Sequence, residues 1–256
     1  MEDFENLALI YYFILFFIAL FAGFIDSIVG GGGLITLPAL IACGIPAHLS
    51  LATNKLQSVF GSFTATLTYY KSMNLAFLGW AVFFTALGAF LGVFCVLLIN
   101  DKYLKLIILV FLALTFLYTA LKPNLGKHKG EMKVKNIKIF HLIAGLLLGF
   151  YDGFLGPGTG SFWIFACVIF LGLDMKNASI NTKSLNFTSN VVSLAFFLYA
   201  YKVLWIVGIL MGLGQIIGAF LGSKLVLKTN GNFIRTLFLI VVFATLLKVG
   251  YDYFFK

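Results

Sequence analysis

"AGFIDSIVGGGGLITLP", residues 22–38, sets one carboxylate, Asp26, and four consecutive glycines, Gly30, Gly31, Gly32 and Gly33, inside a run otherwise apolar enough for lipid. A helix does not pass through such a stretch undisturbed, because each glycine in its interior costs about 1 kcal/mol relative to alanine. The helix is expected to open here. At membrane depth, broken backbone survives only where protein buries it or a watery cavity faces it, since amides left unpaired toward lipid are costly. The break therefore predicts a cavity. The helix that restarts near Leu34 would present free N–H groups and the positive end of its dipole to that cavity, which suits an anion.

That the surroundings are a bilayer follows from composition. Of 256 residues, 61% are hydrophobic, 17% aromatic and only 11% charged, with a mean hydropathy of +1.04; in soluble domains the apolar share stays near half. Uncharged stretches such as 6–25, 72–100 and 203–223 each supply the roughly twenty residues a helix needs to cross about 30 Å of hydrocarbon. The first lacks a basic leader and a small-residue cleavage site, and is read as a retained span and not a cleaved signal peptide. The net charge of +9 does not point to nucleic acid, because the basic residues sit in short loops beside spans and report orientation. Cys43, Cys95 and Cys167 show no paired spacing for a metal or redox couple and read as small packing residues. No cofactor is expected.

The sequence repeats itself. "GFIDSIVGGGG" (23–33) aligns with "GFYDGFLGPGT" (149–159), setting Asp26 on Asp152. "TNKLQS" (53–58) aligns with "NTKSLN" (181–186), setting Lys55 on Lys183, and "GAFLG" (88–92) recurs letter for letter at 218–222. Chance does not keep three blocks in one order at nearly one offset. Each half reads as five apolar segments: 7–29, 33–43, 50–70, 75–99 and 103–121, then 139–155, 159–171, 178–200, 203–226 and 233–255. Three regions follow: a first transmembrane repeat over 1–121, a basic linker "KPNLGKHKGEMKVKNIK" over 122–138, and a second repeat over 139–256. The linker is expected to be cytoplasmic, since short loops rich in lysine stay inside.

If all five segments of a half cross, the count is odd and the second half runs upside down. With "MEDFEN" outside, the inner ends carry Lys71, the six linker lysines, Lys176, Lys224, Lys228 and Arg235, eleven in all. The outer ends carry Lys102, Lys105, Lys202, Lys248 and Lys256, five in all. This bias favours inverted repeats, the layout of many secondary transporters. The second segment of each half is short, about 11 to 13 residues, and if re-entrant would leave the halves parallel. The expected fold class is thus an all-α polytopic membrane protein of two inverted repeats with short or broken helices at the glycines.

Asp26, Lys55, Asp152 and Lys183 are ionisable groups inside the segments. Each would cost at least about 2.5 to 3.5 kcal/mol at the bilayer centre facing lipid, so they should face inward with partners. Two inverted halves would bring all four toward a midplane axis, among Thr53, Asn54, Gln57, Ser58, Asn181, Thr182, Asn186 and Asn190. Lys55 and Lys183 are assigned to substrate charge. Hydrogen bonds to an oxyanion are assigned to the backbone of Gly30, Gly31, Gly32, Gly33, Gly156, Gly158, Thr159 and Gly160, and specificity to Asn54, Gln57, Ser58, Thr182 and Asn186. Asp26 and Asp152 carry a coupling or a structural charge.

Blander readings stand beside these. "GAFLG" is a small-xxx-small packing pattern. Asp26 with Lys55, and Asp152 with Lys183, could be structural ion pairs. A nucleotide loop is excluded, since no Gly-Lys-Ser/Thr follows the glycines. His48, His128 and His141 are expected at surfaces, and Tyr69, Tyr70, Trp80, Tyr201 and Trp205 as interfacial anchors.

In "AGFIDSIVGGGGLITLPAL" (22–40) and "LATNKLQSVFGS" (51–62), the sequence resembles the TauE/SafE family of sulfite exporters and sulfonate permeases. The aspartate, glycine run, proline and Thr-Asn-Lys block stand in the family's order, and the duplicated layout extends the resemblance over nearly the whole chain. The second half agrees more loosely, with Pro157 and Thr159 interrupting its glycines. The resemblance implies an inner-membrane multi-pass transporter of sulfite, sulfonates or related sulfur oxyanions. The residues alone give only a small anion. The reading is therefore a secondary carrier and not an enzyme, driven by an ion or substrate gradient, possible proton coupling included. Its expected partners are that small anion and bilayer lipid, with a homodimer left open and no nucleic acid. An anion channel and a carrier of small carboxylates are the alternatives. A membrane enzyme is disfavoured because no Ser/His or His/His/Glu cluster sits in the spans, and a passive scaffold because buried charge would gain it nothing.

Overall fold

The computed structural model describes residues 9–100, 102–104, 106–108, 110–111, 114, 131–200 and 203–229. The expected segment 233–255, most of 103–121 and much of the linker lie outside the described residues. So do Lys105, Lys122, Lys127, Lys129, Lys202, Arg235, Lys248, Lys256, His128 and Tyr201.

Among the described residues, two runs of four helices stand out. The first comprises α1 (Leu9–Val29), α2 (Gly33–Ala42), α3 (Ala47–Tyr69) and α4 (Leu75–Leu97), with a short 3-10 turn, Tyr70–Ser72, after α3. The second comprises α5 (Ile137–Phe154), α6 (Thr159–Leu171), α7 (Met175–Ala200) and α8 (Trp205–Lys228). Long, short, long, long is the order in both, as the sequence blocks repeat. Four of these helices, α1, α5, α8 and the Leu78–Leu97 part of α4, are long and apolar enough to cross a membrane. Helices α3 and α7 are as long, at 23 and 26 residues, but carry the polar blocks. The protein is a multi-pass helical membrane protein.

Local chemistry explains the breaks. Gly30 and Gly31 after α1 have φ of 77° and 94°, and Gly156 and Gly158 after α5 have 95° and 85°, left-handed values that other residues rarely adopt. Asn136 caps α5 by accepting a hydrogen bond from the Lys138 amide at 3.0 Å, and Gly172 at φ 67° closes α6. The helices after the breaks are short: α2 has 10 residues and α6 has 13, about 15 and 20 Å at 1.5 Å per residue.

The glycine-rich helices cross at close range, and their register gives direction. Phe16 and Leu20 of α1 meet Gly214 and Gly218 of α8, while Leu56 and Phe60 of α3 meet Gly208 and Gly212. Both pairs run parallel, so α1 and α3 point the same way and α2 carries the chain back between them. Likewise α4 lies parallel to α5, with Phe84 on Gly145, Thr85 on Gly149 and Ala89 on Gly153. A methyl group added at Gly88 would lie 2.5 Å from the Leu146 carbonyl oxygen, and one at Gly214 2.5 Å from that of Phe16. The small residues therefore let backbones touch. The lysine-bearing helices run oppositely: Lys55 meets Asn190 whereas Phe63, further along α3, meets Phe187.

Apolar packing mixes the halves. Ile25, Ile28 and Val29 of α1 share one buried cluster with Trp163 and Phe165 of α6 and with Ile180 and Leu185 of α7. Leu37, Leu51 and Leu56 share another with Leu155 and Phe197.

Candidate functional site

The two breaks touch. A Cβ at Gly160 would lie 2.9 Å from the Cα of Gly30, and one at Gly33 3.2 Å from the Cα of Pro157. No side chain fits between these backbones, so the glycines bring the heads of α2 and α6 to one place. A polar cavity of about 20 Å³ lies there, room for about one water.

Of the residues proposed from sequence, Gly31, Gly32, Gly33, Asn54, Lys55 and Ser58 line the cavity from the first half. Gly156, Gly158, Thr159, Gly160 and Asn186 line it from the second, and both Asp26 and Asp152 reach it. Four proposed residues stand back. Gly30 packs on Gly160. Gln57 donates to Asn54 Oδ1 at 2.8 Å. Thr182 turns its hydroxyl to the Ala178 carbonyl of its own helix at 2.9 Å. Lys183 is not in the lining, its Nζ 3.6 Å from where a Cβ on Gly160 would sit. Asn190, also named from sequence, lines the cavity. Thr53 and Asn181 do not: the first accepts from the Leu204 amide at 3.3 Å, the second from the Asn74 amide at 2.7 Å.

The buried charges pair across the halves and not within them, as the sequence reading had considered. Lys55 Nζ lies 2.6 Å from Asp152 Oδ1, 2.5 Å from the Asp152 carbonyl oxygen and 3.2 Å from Asn190 Oδ1, which uses all three ammonium protons. Ser189 donates to the other oxygen of Asp152. In the matching pair, Lys183 Nζ lies 3.2 Å from Asp26 Oδ2 and also donates to the Asp26 carbonyl. The Gly32 amide, at the turn into α2, donates to Asp26 Oδ1 at 2.9 Å. Asp26 is the more open carboxylate, its side chain 20% exposed against 3% for Asp152.

A helix that stops inside the protein leaves its last carbonyls without helical partners. At the end of α1 the chain brings donors from elsewhere: Lys183 joins the Gly30 amide on Asp26, and Tyr69 serves Ser27 at 2.7 Å, Ser179 Ile28 at 2.6 Å and Ser161 Val29 at 2.9 Å. Three of the four come from the second half. This corrects the anchor role expected of Tyr69, which is fully buried, while Tyr70, Trp80 and Trp205 are exposed. His48 and His141 are likewise buried and not at a surface, His48 with Nε2 3.2 Å from the Val96 carbonyl oxygen.

Two site groups were missed in the sequence. Gln215, whose Nε2 donates to Gln57 Oε1 at 2.9 Å, reaches the cavity from α8 and continues a chain through Gln57 to Asn54, where Thr36 also donates at 2.6 Å. Its signal was available: it is the lone side-chain amide in "WIVGILMGLGQIIGAFLGSKLVLK". Ser189 gave none, as one hydroxyl among several on α7. Among the described residues no cluster of His, Cys, Asp and Glu could hold a metal.

Comparison with known proteins bears on this geometry. The family model described as Sulfite exporter TauE/SafE matches residues 15–249. A protein of Sinorhizobium sp named Probable membrane transporter protein ORF9 is 42% identical over 240 residues, 93% of this chain and 92% of that protein. The Probable membrane transporter protein YfcA of Escherichia coli strain K12 is 40% identical over 241 residues, 93% of this chain and 89% of its own length. A Probable membrane transporter protein of Haemophilus influenzae is 39% identical over 241 residues, 93% and 94% of the two chains. No solved structure matches the chain.

Proposed function

The chain belongs to the sulfite exporter TauE/SafE family of membrane transporters, and from that premise we propose that it is a secondary carrier of a small sulfur oxyanion, sulfite or a sulfonate, held between two inverted repeats of the inner membrane. The observation that carries this reading is the contact of the two glycine breaks over a polar cavity that Lys55 enters. Helix N-termini and an ammonium group together make an anion site. The opposite directions of α3 and α7 support the inversion, and inverted halves around a midplane site suit alternating access.

In the described state the ammonium protons of Lys55 are committed to protein oxygens, and the cavity has room for about one water. An anion then enters only when the halves part, as a carrier requires. A pore open throughout does not fit so small a space, which favours the carrier over the channel. The test is counterflow in proteoliposomes made with the purified chain. Labelled sulfite or methanesulfonate is predicted to accumulate against its gradient when the unlabelled anion leaves, and Lys55→Ala to abolish this. Flux that does not saturate and shows no counterflow would contradict a carrier.

A further inference from the structure

Building on the carrier reading above, we propose that Asp152 is the proton carrier of this transporter: a monoanion takes its place on the Lys55 ammonium, and the freed carboxylate takes up a proton, so that one proton travels with each anion.

The two ion pairs match in sequence but not in setting. Lys55 and both carboxylates border the cavity, and Lys183 does not. An arriving anion therefore meets Lys55, where it must compete with Asp152 because the three ammonium protons are already used. Asp26 is not disturbed in this way. It keeps Lys183 on one carboxylate oxygen and the Gly32 amide on the other.

Once displaced, Asp152 has no other cation against it among the described residues. From α3 it faces Lys55 alone, and from α7 Ser189 and Asn190, while Lys183 of the same helix is held on Asp26. Helix α4 meets this turn through Ala89 against Gly153, and Gly156 with Thr159 stands at the head of α6. Across the cavity lies Asp26 of α1, a group of like charge. A carboxylate with its side chain 3% exposed neutralises by binding a proton in preference to staying charged and unpaired. Ser189 serves both forms, since its hydroxyl donates to the carboxylate now and can accept from the carboxylic acid later.

Charge balance then ties the two fluxes. The empty site holds two ammonium groups and two carboxylates and is neutral. One anion and one added proton keep it neutral. The anion alone leaves a buried charge without compensation, which is the costly state. Only the empty and the doubly loaded forms reorient freely. On the far side the proton leaves Asp152, and the carboxylate reclaims Lys55.

The test uses the full chain in proteoliposomes enclosing a pH-sensitive dye, with labelled methanesulfonate and, separately, sulfite. For the wild type we expect one proton to enter with each methanesulfonate, and a pH step of about one unit to drive about tenfold accumulation. In Asp152→Asn the anion should still exchange while protons per anion fall to zero and accumulation is lost. Asp152→Glu should restore a ratio of one. A ratio of one in Asp152→Asn, or of zero in the wild type, overturns the proposal. Where Asp152→Asn does not fold, the double variant Asp26→Asn with Lys183→Met decides, because it removes one charge of each sign and the proposal requires it to keep a ratio of one whatever its rate, and a ratio of zero there overturns it. Absence of counterflow for both anions in the wild type refutes instead the carrier reading on which this rests.

Discussion

Lys55 of α3 holds Asp152 of α5 at 2.6 Å, so the first lysine of the repeat neutralises the second aspartate. The ion pair is thus a joint between the two halves. Breaking it from one side leaves a buried charge alone, which costs about 3 to 5 kcal/mol, whereas removing both charges together is often neutral. Lys55→Ala should therefore unfold in detergent at a clearly lower temperature than the wild type. The double variant Lys55→Met with Asp152→Leu should recover most of the loss while remaining inactive in counterflow. Thermal unfolding of the three proteins, read with their flux, separates the pair's structural part from its part in transport.

The glycines of the first break divide into two kinds of constraint. Gly30 has φ 77° and packs its Cα on Gly160, whereas Gly44 has φ 80° with nothing within 4 Å of an added Cβ. Both positions penalise alanine by about 1 to 2 kcal/mol for the left-handed backbone. Only Gly30→Ala must also push the breaks apart. Thermal unfolding should show a modest loss for Gly44→Ala and a larger one for Gly30→Ala, with flux lost only in the latter.

The end of α1 depends on the other half for its hydrogen bonds. Ser161→Ala and Ser179→Ala each strand a buried carbonyl, of Val29 and Ile28 respectively, at about 1 to 3 kcal/mol apiece. Because the two carbonyls are adjacent, the double variant is expected to depart from the sum of the singles. A double-mutant cycle by thermal or chemical unfolding checks this, and strict additivity would mean that the two bonds act independently.

Gln215 ends a chain of amides that reaches the cavity through Gln57 and Asn54. Gln215→Leu leaves Gln57 Oε1 without its donor and frees Asn54 to reorient. The protein should fold, lose about 1 to 3 kcal/mol of stability, and bind its anion more weakly. A titration of anion-dependent thermal stability in Gln215→Leu measures this.

Much of this arrangement was legible before any coordinates, and for one reason. In an apolar chain, charge and consecutive glycines are expensive, so Asp26, Lys55, Asp152, Lys183 and Gly30 to Gly33 stand out. The segments did too: 50–70 became Ala47–Tyr69, and 203–226 became Trp205–Lys228. What stayed hidden depends on tertiary geometry. Which lysine meets which aspartate follows from the opposite courses of α3 and α7, which no local pattern encodes. The unequal standing of the lysines was hidden too, with Lys55 lining the cavity and Lys183 beside Gly160 outside its lining. Tyr69 and His48 misled because both sit at helix ends, where polar rings usually meet the interface, yet here the ends are packed inside protein.

The most direct measurement is the thermal stability of the wild type and of Lys55→Ala against sulfite, thiosulfate, sulfate, taurine, sulfoacetate and matched carboxylates. A ligand at a hundredfold excess over its Kd stabilises by about 2.7 kcal/mol. At least one sulfur oxyanion is predicted to raise the melting temperature of the wild type and leave Lys55→Ala unmoved. An equal rise in both proteins, or a response to carboxylates alone, would contradict a sulfur anion held by Lys55 between the two breaks.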